Sequence, residues 1–207
     1  MNSIFSKVEQ NFLMESEISE MTTLVPYIIT ESVPKLGAMT ALRFLEWVSE
    51  NPDGVISLSS DKSLKYFIHY VHHFLDTWNK KETKEILDRY GLDGIEKPDL
   101  SGLQFVQMDE FYPISPKQHN SFYNYVNKNY IEGFGLDPKK ALFINSDEIK
   151  LYKDKSYKEV FPDYSIDLSL RYRQANNEQE FIQQQSIFLL DDWCSQYDDK
   201  IKKKGDI

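Results

Sequence analysis

The chain has 207 residues, 41% of them hydrophobic and 14% aromatic, enough for one domain with a sizeable core. Disorder, collagen and low-complexity sequence are thereby excluded for the bulk of it. A charge sum of −9 and a pI near 5.0 have the wrong sign for gripping a nucleic-acid backbone.

Taken in chain order, Ile4, Val8 and Phe12 have the four-residue spacing of a short amphipathic helix, followed by the polar stretch ESEISEMTT. Leu24 to Ile29 is apolar and β-branched, and Pro26 makes it an edge strand or an extended lead-in. Ser32 is placed to cap a helix with Pro34 in its first turn and Leu42, Leu45 and Val48 as its buried stripe. Asn51-Pro52-Asp53-Gly54 stops that helix. Val55 to Leu58 reads as a buried strand, Ser59 to Lys62 as a polar loop. Ser63 then opens a helix bearing Leu64, Phe67, Ile68, Val71 and Leu75. Lys80 to Tyr90 reads as a further helix closed by Gly91, GLDGIEKPDLSG as loop, and Leu103 to Gln107 as strand.

A helix with Phe122, Val126 and Tyr130 and a strand from Ala141 to Ile144 come next. Residues 145–175 show no steady period and read as a long excursion. Asn176 to Lys204 is a long helix with Leu190, Cys194, Tyr197 and Ile201 on one face, ended by Gly205, with Asp206-Ile207 opening another element. Strands alternating with helices predict an α/β fold with a mostly parallel sheet covered on both faces.

The lone cysteine, Cys194, has no partner for a disulfide or a metal pair, and its apolar helical neighbours make it core rather than nucleophile. No apolar run is long enough to span a bilayer. MNSIFSKVEQNF lacks the basic start and apolar core of a secretory signal. The chain thus reads as acidic, soluble and cytoplasmic. Lys200, Lys202, Lys203 and Lys204 form a basic run at a helix end, where cations complement the dipole; capping is favoured there over a nucleic-acid patch.

In open parallel sheets, ligands bind beyond the carboxyl ends of the strands, and two loops occupy that place. In the first, Ser60, Ser63 and Lys62 offer hydroxyls, helix N–H groups and a charge to an anion; ordinary helix capping by Ser or Asp is the alternative. In the second, Asp109 and Glu110 follow the strand LQFVQ directly. A carboxylate held there in a partly desolvated pocket suits a general base, whereas adjacent loop acids are more often solvated charge. His69 and His73 lie one helical turn apart, with His72 beside them. Without an H-E-x-x-H order or a third ligand, they read as surface or packing residues rather than a metal site. His119 either caps the following helix or lines the cleft.

The run QFVQMDEFYPISPKQHNSFYNYVNKNYIEGFGLDPKKALFIN, Gln104 to Asn145, resembles the central segment of the glucosamine-6-phosphate deaminase/isomerase family. There a strand ends in N-M-D-E-Y and leads through a proline-containing loop to an H-x-x-S-Y-Y helix. Trp193 to Ile201, continuing to Gly205, is similar to the family's C-x-x-Y-E-x-x-I helix and the glycine after it. The resemblance runs from about Pro26 to the end, leaving residues 1–23 as an N-terminal extension and 24–207 as the domain. It implies a Rossmann-like three-layer α/β/α fold, expected to be incomplete at its C-terminus. It also implies a sugar-phosphate substrate and metal-free, cofactor-free conversion of an aldose amine phosphate to a ketose phosphate with loss of ammonia, a hydrolase-type deamination in amino-sugar metabolism. Asp109 matches the family's proton-transferring aspartate, with Glu110 and Tyr112 shaping the site beside it.

Three departures qualify that reading. Leu58-Ser59-Ser60-Asp61-Lys62-Ser63-Leu64 replaces the family's L-P-T-G-G-T-P phosphate loop, losing the glycines that let N–H groups approach phosphate. Asp61 would repel a phosphate unless turned away, while Lys62 offers a compensating charge. Insertions at about 79–101 and 145–175 cover a face or contact a partner; the latter carries Tyr152, Tyr157, Tyr164 and Tyr172. The family's G-x-x-x-D-G-H-I-A-F-N-E strand and loop, which supply its other catalytic groups, have no counterpart here. The expectation is half of an active site, with little turnover by this chain alone, and marginal stability or association such as a homo-oligomer. A non-catalytic sugar-phosphate binder or regulatory homologue, and a sugar-phosphate lactonase, are the alternatives.

Overall fold

The computed structural model describes residues 5–15 and 27–204. These form two units, one of residues up to Gly54 with Ser59–Gln104 and Asn127–Lys140, the other of Val55–Leu58, Phe105–Val126 and the chain from Ala141 onward. Ile4, the lead-in at 24–26, and the elements read into Gly205 and Asp206-Ile207 lie outside the described residues.

The first unit is built from helices. Ser32 caps α2 (Val33–Glu50), accepting from Lys35 N–H, with Pro34 in the first turn and Asn51 closing the other end. Ala41, Leu42, Leu45 and Val48 are buried as the periodicity predicts. They face α3 (Lys65–Thr77), whose Phe67, Ile68, Val71 and Phe74 are buried. Leu64 and Leu75 are only half-buried. The two helices cross closely at Gly37, where a Cβ would lie 2.5 Å from the Cβ of Tyr66 and 2.9 Å from the Phe67 nitrogen. A ring cluster, with Phe67 edge-on to both Phe44 and Phe134, fills the space alongside.

The N-terminal helix α1 (Lys7–Glu15) is part of this core: Val8 and Phe12 are buried. Its first turn is anchored by Lys7 N–H donating to the buried Glu46 carboxylate at 2.9 Å. Phe12 stacks on Tyr90 at 4.2 Å, just past α4 (Lys81–Arg89). The Tyr90 hydroxyl donates to Glu15, and burial followed by that carboxylate pushes its pKa up to about 12. Gly91, with φ +77°, makes the left-handed exit after α4.

The second unit holds most of a small three-stranded sheet in the order β1 (Val55–Ile56), β2 (Gln104–Val106), β3 (Ala141–Leu142). Strands β2 and β3 run parallel, with Phe105 opposite Ala141 and Val106 opposite Leu142. The chain is therefore α/β, but helix-rich, and each strand is shorter than its apolar run: Val55–Leu58, Leu103–Gln107 and Ala141–Ile144 all pair over less than their length. The reason is visible at the ends. Ser57 turns its hydroxyl to the Val106 carbonyl, and Gln107 takes Ile144 N–H on its side chain, so side chains replace the ladder there.

From β2 the chain passes to α5 (Phe122–Val126), which continues as a π-helical turn over Asn127–Glu132. Val126 and Tyr130 are buried and Phe122 is not. The aperiodic stretch 145–175 is a chain of 3-10 turns around α6 (Tyr157–Val160), which a capping box of Ser156 and Glu159 opens. It has its own apolar centre of Leu151, Val160, Phe161 and Leu170, closed by Ile187 of α7 (Glu178–Lys202). Polar side chains of α7 serve this stretch. Gln184 donates to the carbonyls of Leu170 and Arg173, Gln179 donates to that of Val160, and Ser186 accepts from Tyr152 N–H. Arg171 pairs with Asp191, and Arg173 with Asp167 and Glu180. Among the described residues no helix is long and apolar enough to cross a membrane.

One expectation fails on α7. Ile187 and Tyr197 are buried and Leu190 and Ile201 half-buried, but Cys194, read as core, is exposed. Periodicity fixes which way a residue faces, not whether anything covers it. Along α7 the apolar face is wider than its cover.

Two outcomes follow from these placements. Gly37→Ala is expected to lower unfolding free energy by about 2 kcal/mol in urea titration, because the added methyl meets backbone atoms that can only move with their helix. Cys194 should react fully with an aromatic disulfide in the native protein. The rate should be slower than for an unhindered thiol, since partial burial and then Asp191 push its pKa up.

Candidate functional site

The second unit's candidate site begins at Gln107, which is fully buried. A buried amide must place all its polar groups, and this one does so across three elements. Gln107 N–H donates to the Leu142 carbonyl at 3.0 Å, its Oε1 accepts from Ile144 N–H at 3.1 Å, and its Nε2 donates to the Asp109 carbonyl at 2.9 Å. Its own carbonyl accepts from the Tyr197 hydroxyl of α7 at 2.6 Å. Burial raises the Tyr197 pKa, keeping that hydroxyl a donor. Gln107 and Tyr197 thus join β3, α7 and the Asp109 loop. Neither stood out in the sequence as a site residue; the signal was a glutamine inside an otherwise apolar strand run.

Asp109 and Glu110 are neighbours with opposite fates. The Glu110 carboxylate accepts from Phe111 N–H at 2.9 Å, Phe122 N–H at 3.0 Å, Tyr123 N–H at 2.8 Å and the Ser121 hydroxyl at 2.8 Å. It holds the start of α5, where free N–H groups collect. Asp109 is exposed, and its carboxylate has no hydrogen-bond partner among the described residues. Partial burial of the carboxyl, then the charge of Glu110, raise its pKa above the ordinary 3.8. An unpartnered carboxylate of raised pKa at a strand end can accept a proton.

The other three candidate residues belong to the first unit. Ser60 is buried, while Lys62 and Ser63 are exposed. The Tyr130 hydroxyl fixes the loop by donating to the Ser59 carbonyl at 2.6 Å. Asp61, rather than turning away, caps the turn Lys62–Leu64 by accepting from Ser63 N–H at 3.2 Å. The chain's own carboxylate therefore sits on an N–H group that a phosphate would use. The structure brings Ser60, Lys62 and Ser63 together on one loop, and Asp109 and Glu110 together on another.

His69 and His73 are exposed on α3 with stacked rings 6.4 Å apart, His72 rests against Phe134, and His119 is exposed. Among the described residues no group of three His, Cys, Asp or Glu side chains is placed to hold a metal.

No known protein family matches the chain, and no curated protein matches it. Among solved structures it is similar to a monomeric glucosamine-6-phosphate deaminase described as a missing link of the NagB superfamily. The TM-score is 0.47 and the identity 16%, over 65% of this chain and 48% of that one. The chain thus spans about half the length of that structure. So slight a likeness assigns no function.

The geometry separates the two acids experimentally. Glu110→Ala should cost about 1–3 kcal/mol in chemical denaturation, since buried or half-buried donors lose their acceptor. Asp109→Ala should change stability by no more than about 0.5 kcal/mol. Tyr197→Phe, which strips the Gln107 carbonyl of its hydroxyl, should cost about 1–2 kcal/mol.

Proposed function

We propose that the chain is a sugar-phosphate deaminase/isomerase-like protein in which Asp109 moves a proton between adjacent carbons of an opened amino-sugar phosphate. The observation that carries this reading is the division of labour after β2. Glu110 is consumed by the helix it caps, while Asp109 keeps an unpartnered carboxylate of raised pKa on a backbone held by Gln107. The residues Met108 to Tyr112 add the motif resemblance. A carboxylate whose pKa is raised is a stronger base, and so takes a proton from a carbon acid more readily, than an ordinary carboxylate. The proposal carries with it the Rossmann-like α/β/α layering and the absence of a cofactor that the resemblance implies.

A second reading is a sugar-phosphate binder without turnover: Asp61 occupies the Ser63 N–H, so a phosphate at this loop would be met by side chains rather than by that backbone group. In that reading Lys62 supplies the loop's charge and Ser60 and Ser63 its hydroxyls.

Asp109 can be tested on the base-catalysed half-reaction alone, as exchange of the C1 proton of fructose 6-phosphate with deuterium in solvent. Exchange by the wild type should fall about 10²–10⁴-fold in Asp109→Asn, and ammonia release from glucosamine 6-phosphate should follow it. Saturable binding with no exchange would establish the binder, and exchange unchanged in Asp109→Asn would remove the base.

The pH dependence has a fixed sign. The carboxylate is the active form, so exchange should rise with pH through a midpoint above 3.8. Between that ordinary value and the raised one, the folded state binds more protons than the unfolded state. The Asp109 contribution to stability therefore falls as pH rises through this window. The fall should be missing in Asp109→Asn when thermal midpoints are measured across it.

A further inference from the structure

Beyond Asp109, the second unit contains a cavity of about 400 Å³ that the deaminase reading does not use. The rings of Tyr112 and Tyr157 form one wall, crossing at 75° with centroids 6.0 Å apart. Pro113, Ile149 and the buried Leu151 continue the apolar surface. The volume lies at the lower end of the range for small-molecule pockets, well above what a bare inorganic ion fills.

The polar groups lining the cavity are unevenly committed. The Ser146 hydroxyl already donates to the Ile114 carbonyl, and that of Ser156 to Glu159. The hydroxyls of Tyr112 and Tyr157, the Gln118 amide and the Lys155 ammonium make no side-chain hydrogen bond among the described residues. Burial raises the pKa of both phenols and so keeps them protonated. Against this surplus of donors stands one lining carboxylate, Asp147. Glu159 lies outside the lining but close enough to feel the Lys155 charge, and it makes no hydrogen bond to Lys155, accepting instead from Ser156. Donors that the protein leaves available around one cation suit a ligand rich in acceptor oxygens, and crossed tyrosine rings suit a body with an apolar face.

We propose that this cavity binds a small organic oxyanion, a carboxylate or phosphate carried on a single ring. Lys155 meets the charge, the two phenols and Gln118 meet the oxygens, and the tyrosine rings pack on the body. The site stands apart from the role of Asp109 and survives if that role fails.

The test is titration of the isotopically labelled full chain, followed by NMR, with four probes: glucose 6-phosphate, benzoate, inorganic phosphate and glucose. At least one ring-bearing anion should shift the Tyr112 and Tyr157 rings and the 146–157 amides saturably, and more tightly than inorganic phosphate or glucose does. Lys155→Met should weaken that binding about tenfold or more. Asp147→Asn, which removes the opposing charge, should tighten it about twofold, and Asp109→Asn should leave it unchanged. The first two substitutions fall on groups at the cavity surface, and Asp147→Asn alone decides the sign of the charge effect if Lys155→Met does not fold. Failure of both anions to saturate, neutral glucose binding as tightly as either anion, or affinity indifferent to both charge substitutions would overturn the proposal. So would weakening by Asp109→Asn.

Discussion

The second unit depends on a single buried amide. Gln107 sits where β2 runs out, and every polar group it owns is engaged. Through it, β3 is extended two residues beyond its ladder, to Ile144, α7 is tied to the strand by Tyr197, and the loop leaving the strand is set in direction. A buried amide is stabilising only when all its groups are paired, because each unpaired one costs about 1–3 kcal/mol. The arrangement is therefore close to all-or-none. Shifting any one of the three elements orphans a buried polar group of Gln107, which helps to hold the register of β2 against β3.

That constraint gives the adjacent acids their different characters. Two carboxylates in sequence usually share one environment and one fate. Here the backbone is pinned at Asp109 and turns at once toward α5, so the next side chain meets a row of N–H groups while Asp109 meets none. Glu110 spends its charge on structure and, by staying where it is, raises the cost of ionising its neighbour. One acid prepares the other without touching a substrate.

Much of the first unit was legible in the sequence. Ser32, Pro34 and Asn51 bracket α2 because capping is local chemistry that a few residues can announce. The α2 and α3 stripes were legible because a 3.6-residue period survives any tertiary detail. Strand lengths were not, since side chains of Ser57 and Gln107 take over from the ladder, a choice settled by distant partners. The exposure of Cys194 was equally hidden, because it depends on how far another element reaches along α7. Asp109 could be singled out from its place after a strand, but the diversion of Glu110 and Asp61 into capping needed the geometry. Residues 145–175 read as formless because their backbone finds its partners in the side chains of another helix, which leaves no period to detect.

The glutamine-lined face of α7 has a kinetic consequence for that excursion. Its carbonyls lean on Gln179 and Gln184, one of its amides on Ser186, and its apolar residues close over Ile187. Opening this loop breaks hydrogen bonds and apolar contacts to α7 together, so the amides buried against the helix are expected to exchange with it as one unit, although the segment itself has little regular structure.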